Sequence, residues 1–303
     1  MKNLQTILVA VDFSPGSRAA LLQAQRLGEA RGASVQVIHI INEAALAAQA
    51  GSRLAPPEAQ ARQAKATASA ALIHWMELAG AKTDGQHHVA VGGPLHEILE
   101  MVRSLKPDLL VAGISGAGDS PAGAGTVSVK LARKAPCDVL LVSAKHDGPF
   151  RKIVAGIDFS EAARDVAAAA RWIALQDGAA VDFVHVWQQP WQQLPYAMPF
   201  GDTGMPVPMV TPEEIEAYET NARRELHEYI AQAGEGLQAV AVLYEGGNHG
   251  HALAEQALAS AADLIIVGGK GRTNLRYVLL GSTAEKLLTR VPCSLLVVKP
   301  PVV

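Results

Sequence analysis

Four residues near the end of the chain have the types and spacing to hold an anion. Gly268, Gly271, Gly281 and Ser282 form the pattern G-x2-G-x9-G-S, directly after the apolar run 264–267. Glycine lets backbone approach a ligand closely and reaches φ > 0. A helix N-terminus presents unpaired N–H groups and the positive end of a dipole, which suits phosphate. Residues 274–280 read as the start of a helix, and Gly281-Ser282 open a further one over 283–289. A tight turn with a serine N-cap would use the same residue types. Glycines alone do not separate the two readings. Lys270 and Arg272 either add charge beside a phosphate or stand as solvated surface cations.

The elements that must position these residues occur twice. ILVAVDFS at 7–14 returns as IVAGIDFS at 153–160. Arg18, Gly32-Ala33 and His39 return as Arg164, Gly178-Ala179 and His185. PDLLVAGISG (107–116) matches ADLIIVGGKG (262–271), and APCDVLLV (135–142) matches VPCSLLVV (291–298). So long an offset is a duplicated domain, not a solenoid. The polar Gly/Pro stretch 145–149 marks the junction, giving domains 1–147 and 148–303. In the first half the pattern predicts strands over 7–11, 35–41, 89–91, 109–112 and 139–142. Between them it predicts helices over 18–31, 57–79, 95–104 and 127–134. Alternation of continuously apolar strands with helices implies α/β architecture: two tandem doubly wound, Rossmann-like parallel-sheet domains. Ligands of such sheets sit beyond the carboxyl ends of the strands. Asp12, Asp158 and both glycine clusters fall on that edge.

Composition narrows the function classes. The 303 residues are 49% hydrophobic and 18% charged, which fits a globular protein with a large core. A net charge of −3 and 5% aromatics disfavour nucleic acid as a partner. No run approaches the ~20 apolar residues of a membrane span, so no membrane partner is expected. Lys2 precedes only a short apolar run ending at Asp12, unlike a secretory signal. Two cysteines do not make a disulfide framework, and the expected compartment is the cytoplasm.

Other reactive side chains have plain readings. Cys137 and Cys293 stand at matching positions before the last strands and read as small buried residues. His39 and His185 read as satisfying backbone at a strand end. His249-x-His251 has spacing open to a metal with a further ligand, but His96 and His251 match at a helix start, where polar residues are common. No metal site is expected. Residues 188–212 lack a counterpart of that length in the first half. They read as an ordered surface loop, or as a lid or contact surface, followed by a mixed-charge helix over 213–233.

The combination of D-F-S after strand one, His closing strand two, D-L-(L/I)-(V/I) leading into G-x2-G, and P-C before the last strand resembles the universal stress protein family. The resemblance covers nearly the whole chain twice, as in tandem members, and G-x2-G-x9-G-S resembles the ATP-binding signature of the nucleotide-binding branch. It implies that the last strands, 139–142 and 295–298, associate about a pseudo-two-fold axis. It also implies ATP as ligand, with ADP or AMP as alternatives and Mg2+ alongside. Asp158 would accept from the adenine amine or a ribose hydroxyl, or act as a helix cap with Ser160. Gly156 and Val186 would line the base pocket, Val267 and Gly268 would follow the ribose and first phosphate, and Gly271, Gly281, Ser282 and Thr283 would hold the phosphates. The first half keeps Asp12, Gly113, Gly116, Gly125 and Thr126, but with eight residues instead of nine between the glycine pairs. It loses both basic residues and gains Asp119 and Pro121, which predicts a weaker second site. No G-x4-G-K-[ST], G-x-S-x-G or S-G-G-x-D-S loop occurs, and no catalytic base accompanies the glycines. A regulatory ligand is therefore expected, with slow ATP hydrolysis or a nucleotide-independent scaffold as rivals. An unknown protein partner or a homodimer is open.

Overall fold

The computed structural model describes residues 4–44, 46, 57–81, 86–116, 124–188, 211–269 and 280–300. The first half runs β1 (Thr6–Val11), α1 (Pro15–Arg31), β2 (Ser34–Asn42), α2 (Pro57–Leu78), β3 (His87–Gly92), α3 (Pro94–Leu105), β4 (Leu109–Gly113), α4 (Thr126–Lys134) and β5 (Asp138–Val142). The second repeats it as β6 (Lys152–Gly156), α5 (Glu161–Asp177), β7 (Ala180–Trp187), α6 (Pro212–Ala233), β8 (Ala239–Glu245), α7 (His249–Ala259), β9 (Leu264–Gly268), α8 (Ser282–Thr289) and β10 (Ser294–Val298).

Helix α1 begins at Pro15, three residues before the sequence pattern placed it, for a local reason. Ser14 Oγ accepts the Ser17 N–H at 3.1 Å, and proline at the first turn gives up no hydrogen bond. Ser160 caps α5 in the same way, accepting from Ala163 N at 3.3 Å. Both helices stop at a left-handed glycine, Gly32 (φ 67°) and Gly178 (φ 66°).

All ten strands form one sheet in the order β3-β2-β1-β4-β5-β10-β9-β6-β7-β8. Each half is parallel within itself, and the halves join through one antiparallel pair, with Leu141 opposite Leu295 and Leu140 opposite Leu296. Two equivalent edge strands brought together by a two-fold rotation must run antiparallel, so this register carries the pseudo-symmetry. Burial follows the pleat. Ile7, Val9 and Val11 enter one helix-covered layer, and Leu8 and Ala10 the other. Both faces are covered, which is why the strands are apolar without alternation.

Polar contacts reinforce the seam. Lys299 N donates to Asp138 Oδ1 at 2.8 Å, and Arg133 on α4 pairs with Glu285 on α8 at 3.0 Å. At the pseudo-equivalent place, Ser143 N donates to the buried Ser294 Oγ at 3.1 Å, and that oxygen also lies 3.1 Å from His146 Nδ1. Burial holds the His146 imidazole below its ordinary value. The unfolded chain therefore takes up the proton first, and stability falls as pH drops from about 6.5 through the lower folded-state value. His146→Gln is expected to flatten that part of a urea-unfolding pH profile.

Candidate functional site

The D-F-S segments make the same elbow in both halves. Asp158 Oδ1 accepts from Ser160 N at 3.0 Å and from Ser160 Oγ at 2.6 Å; Asp12 Oδ1 accepts from Ser14 N at 3.0 Å. The serine is therefore the helix cap, and the aspartate closes the turn before it. Between them Phe159 (φ 59°) and Phe13 (φ 64°) occupy the left-handed region, at a cost of about 1–3 kcal/mol each. Aromatic packing holds them there. Phe159 stacks on His185 at 4.4 Å and meets Tyr229 edge-on at 5.8 Å. Phe13 repeats this with His39 at 4.4 Å and Trp75 at 5.6 Å. His185 Nδ1 lies 2.8 Å from the Ile157 carbonyl, and His39 Nδ1 2.9 Å from that of Val11. A carbonyl only accepts, so each Nδ1 carries the proton. The histidines thus satisfy strand-end backbone, as expected, and they also buttress the strained elbow that aims the aspartate.

Gly156, Asp158, Val186, Val267, Gly268, Gly281, Ser282 and Thr283 line one cleft at the carboxyl edge of the second half-sheet, with a cavity of about 100 Å3. Four different strands and helices deliver them. Gly281 is the N-cap of α8, and its N–H donates to the Gly269 carbonyl at 2.8 Å, which docks the helix start against the end of β9. A Cβ on Gly156 would stand 2.9 Å from Leu253 Cδ1, so glycine keeps the cleft floor open. Gly271, Lys270, Arg272 and residues 274–279 of the expected helix start lie outside the described residues, as do 189–210, Asp119 and Pro121.

The first half has its own cleft, with a cavity of about 180 Å3. Asp12, Gly113 and Gly116 line it, but Gly125 and Thr126 are not among its lining residues, where Val127 and Ser128 stand instead. Gly125 N donates to the Ile114 carbonyl at 2.7 Å, repeating the Gly281–Gly269 bond of the second half, and Ala124 N donates to the Leu288 carbonyl of the other half at 3.1 Å.

Sequence reasoning missed the fourth wall of the second cleft. His249 and Leu253 on α7, and Ala162 and Val166 on α5, also line it. The repeat held the signal, since the match of His96 with His251 places His249 opposite Pro94, which lines the first cleft. His251 Nε2 instead pairs with Glu255 Oε1 at 2.9 Å along α7, and Glu255 also accepts from the Tyr244 hydroxyl. Among the described residues no three His, Cys, Asp or Glu side chains converge as metal ligands. Burial pushes the Cys137 and Cys293 thiols up to about 12, which leaves both without thiolate reactivity at neutral pH. No described helix is long and apolar enough to cross a membrane.

Comparison with known proteins agrees with the duplicated architecture. A universal stress protein of Synechocystis is 26% identical over 151 residues, covering 50% of this chain and 98% of that protein. A solved structure from Pseudomonas aeruginosa superposes with a TM-score of 0.68 at 18% identity, covering 98% of this chain and 93% of the other. A universal stress protein from Archaeoglobus fulgidus gives 0.65 at 20%, covering 97% and 98%. At such identities the likeness shows the fold. The model of the Universal stress protein family matches residues 3–143 and again 149–299. With nearly every residue inside one or other of those two matches, the chain belongs to the universal stress protein family.

Proposed function

We propose that the protein binds ATP or another adenine nucleotide, mainly in the cleft of its second half, as a regulatory ligand in stress adaptation. One observation carries this reading: eight residues scattered from Gly156 to Thr283 converge on a single cleft at the carboxyl edge of the sheet. Its chemistry is graded. The apolar side chains of Val186, Val267 and Leu253 suit a base, and the Asp158 carboxylate accepts from an amine or hydroxyl. The N-terminus of α8, with Ser282 and Thr283, suits phosphate. The cavity of about 100 Å3 is below the ~300–1,000 Å3 of a site that swallows its ligand whole. It takes the base and leaves the phosphates over the glycine edge, where Mg2+ accompanies them.

Mass-spectrometric quantification of nucleotide released from denatured protein, purified without added ligand, tests this. Adenine nucleotide in proportion to chain is expected. None, with no heat on titrating Mg-ATP, would favour a nucleotide-independent scaffold. Recovery as ADP, with turnover lost in Ser282→Ala, would favour a slow ATPase. Asp158→Asn is expected to weaken ATP binding by roughly 10–100-fold, as a charge-assisted hydrogen bond of about 1.5–3 kcal/mol is lost.

A further inference from the structure

We propose that His249 is a pH-responsive phosphate contact of the second cleft, so that nucleotide binding takes up a proton and tightens as pH falls. The inference deepens the nucleotide reading above and rests on it; a difference between the two clefts carries it. His249 lines the second cleft from the first turn of α7. The repeat, aligned through His96 and His251, puts Pro94 at that place, and Pro94 lines the first cleft. Proline offers neither a donor nor a charge. On the neighbouring helix, aligning Gly125 with Gly281 sets Val127 against Thr283, and each lines its own cleft. One half therefore faces a ligand with an imidazole and a hydroxyl. The other faces it with a pyrrolidine ring and an isopropyl group.

Packing sets His249 at the phosphate end of the cleft. Asn248 caps α7, its Oδ1 accepting the His251 N–H at 3.2 Å, which makes His249 the first helical residue. The next residue, Gly250, is buried against α8. A Cβ there would stand 2.8 Å from the Thr283 carbonyl oxygen and 2.7 Å from Lys286 Cβ. The first turns of α7 and α8 thus touch, and His249 shares one cleft edge with Ser282 and Thr283. In the first half Leu95 takes the place of Gly250, and α3 and α4 border an open groove of about 790 Å3 instead.

A histidine changes charge between about pH 5 and 8. A phosphate within hydrogen-bond reach favours the imidazolium. The positive ends of α7 and α8 disfavour it while the cleft is empty. Binding therefore raises the proton affinity of the ring, and by linkage a falling pH tightens the ligand. Asp158 faces His249 across the cleft, and α5 presents Ala162 and Val166 there. Glu285 and Lys286 stand on α8, and Tyr244 and Glu245 end β8. Lys152 and Asp182 meet α7 only at Gln256, towards its other end. Carboxylates, lysine and tyrosine ordinarily titrate outside the span from about pH 5.5 to about 7.5. His251 is the second histidine of α7, and its Nε2 is engaged by Glu255 at 2.9 Å.

The test titrates Mg-ATP calorimetrically into the full chain across that pH span, beside His249→Gln, His249→Pro and His251→Gln. Affinity of the wild type is expected to rise roughly tenfold more than that of either His249 variant, the size of one charge-assisted contact. Titration of the ATP phosphates themselves is common to all four proteins and cancels in the comparison. His249→Pro copies Pro94, proline suits the first helical position, and Asn248 before it is extended (φ −121°, ψ 92°), as a residue before proline must be. His251→Gln is expected to keep the wild-type slope. An unchanged slope in His249→Gln, or a slope lost only in His251→Gln, would overturn the proposal. The His249 ring-proton resonance, followed through pH with Mg-tripolyphosphate and separately with adenosine, keeps this contact apart from the nucleotide reading. Tripolyphosphate is expected to raise its titration midpoint, and adenosine to leave it unmoved. A response to tripolyphosphate with no preference for ATP would uphold the phosphate contact and sink the adenine reading. Silence to both ATP and tripolyphosphate would overturn the contact.

Discussion

Gly281→Val is expected to empty the second cleft of nucleotide and leave the chain folded. The backbone at Gly281 is extended (φ −67°, ψ 149°), a region that valine adopts without strain. Its N–H bond to Gly269 and the Glu285 N–H bond to its own carbonyl, at 3.0 Å, both survive the change. Valine at an N-cap costs about 0.5–2 kcal/mol of helix stability relative to good caps, too little to unfold a domain. The added methyls stand at the helix start beside Ser282, where the phosphates are proposed to lie. We expect ATP affinity to drop by roughly 100-fold, about 2.8 kcal/mol. The rise in melting temperature that saturating Mg-ATP gives the wild type would disappear with it. Calorimetric titration and thermal unfolding, side by side, check this. Unchanged affinity in a folded variant would mean that phosphates do not reach the start of α8.

The second large effect concerns the join between halves. Arg26 on α1 forms an ion pair with Asp177 at the end of α5, and the Asp177 side chain is only 1% exposed. Asp177 Oδ2 also accepts the Phe150 N–H at 2.8 Å, and the Arg26 guanidinium lies over the Phe150 ring at 5.4 Å. Asp177→Ala removes the counter-charge and strands a backbone donor. Breaking a buried pair from one side costs about 3–5 kcal/mol, and a loss of that size in urea unfolding is expected. Asp177→Asn keeps an acceptor and should lose much less. Burial pushes the Asp177 carboxyl above its ordinary range in spite of Arg26. The folded state then binds the proton more tightly than the unfolded one. This group's contribution to stability falls as pH rises from about 4 through the raised value, and the Asn variant should lack that slope. Equal stability of Asp177→Ala and wild type would show that the helix contact is dispensable to the join.

The duplicated doubly wound fold was legible because its signals are local. Continuous apolar runs such as 264–267 need no long-range information to read as buried strands, and Gly32 and Gly178 mark helix ends by their backbone freedom alone. The eight described second-site residues were named through the family resemblance, and topology explains why they meet in one cleft. Each sits at the carboxyl end of a strand, just past one, or at a helix start, and in a parallel sheet those places share one edge. Val127, Ser128 and His249 were not legible as cleft residues. Which turn of a helix faces a cleft depends on how the helix is seated, and contacts distant in sequence set that seating, such as Ala124 to Leu288. The left-handed phenylalanines were hidden as well, because the strain of Phe159 is offset by His185 and Tyr229, far along the chain.

By itself, then, the sequence determined the repeat, the strand–helix alternation and the edge on which a ligand would sit, since periodicity and turn chemistry act over a few residues. The family resemblance already implied that the last strands associate; only the tertiary structure decided the register in which β5 and β10 fuse the two half-sheets, with Leu140 opposite Leu296. It alone decided that Asp177 is buried beneath Arg26, and that two clefts of common ancestry present different walls. Each of these depends on side chains meeting across more than a hundred residues, where packing and desolvation, not local propensity, set the outcome.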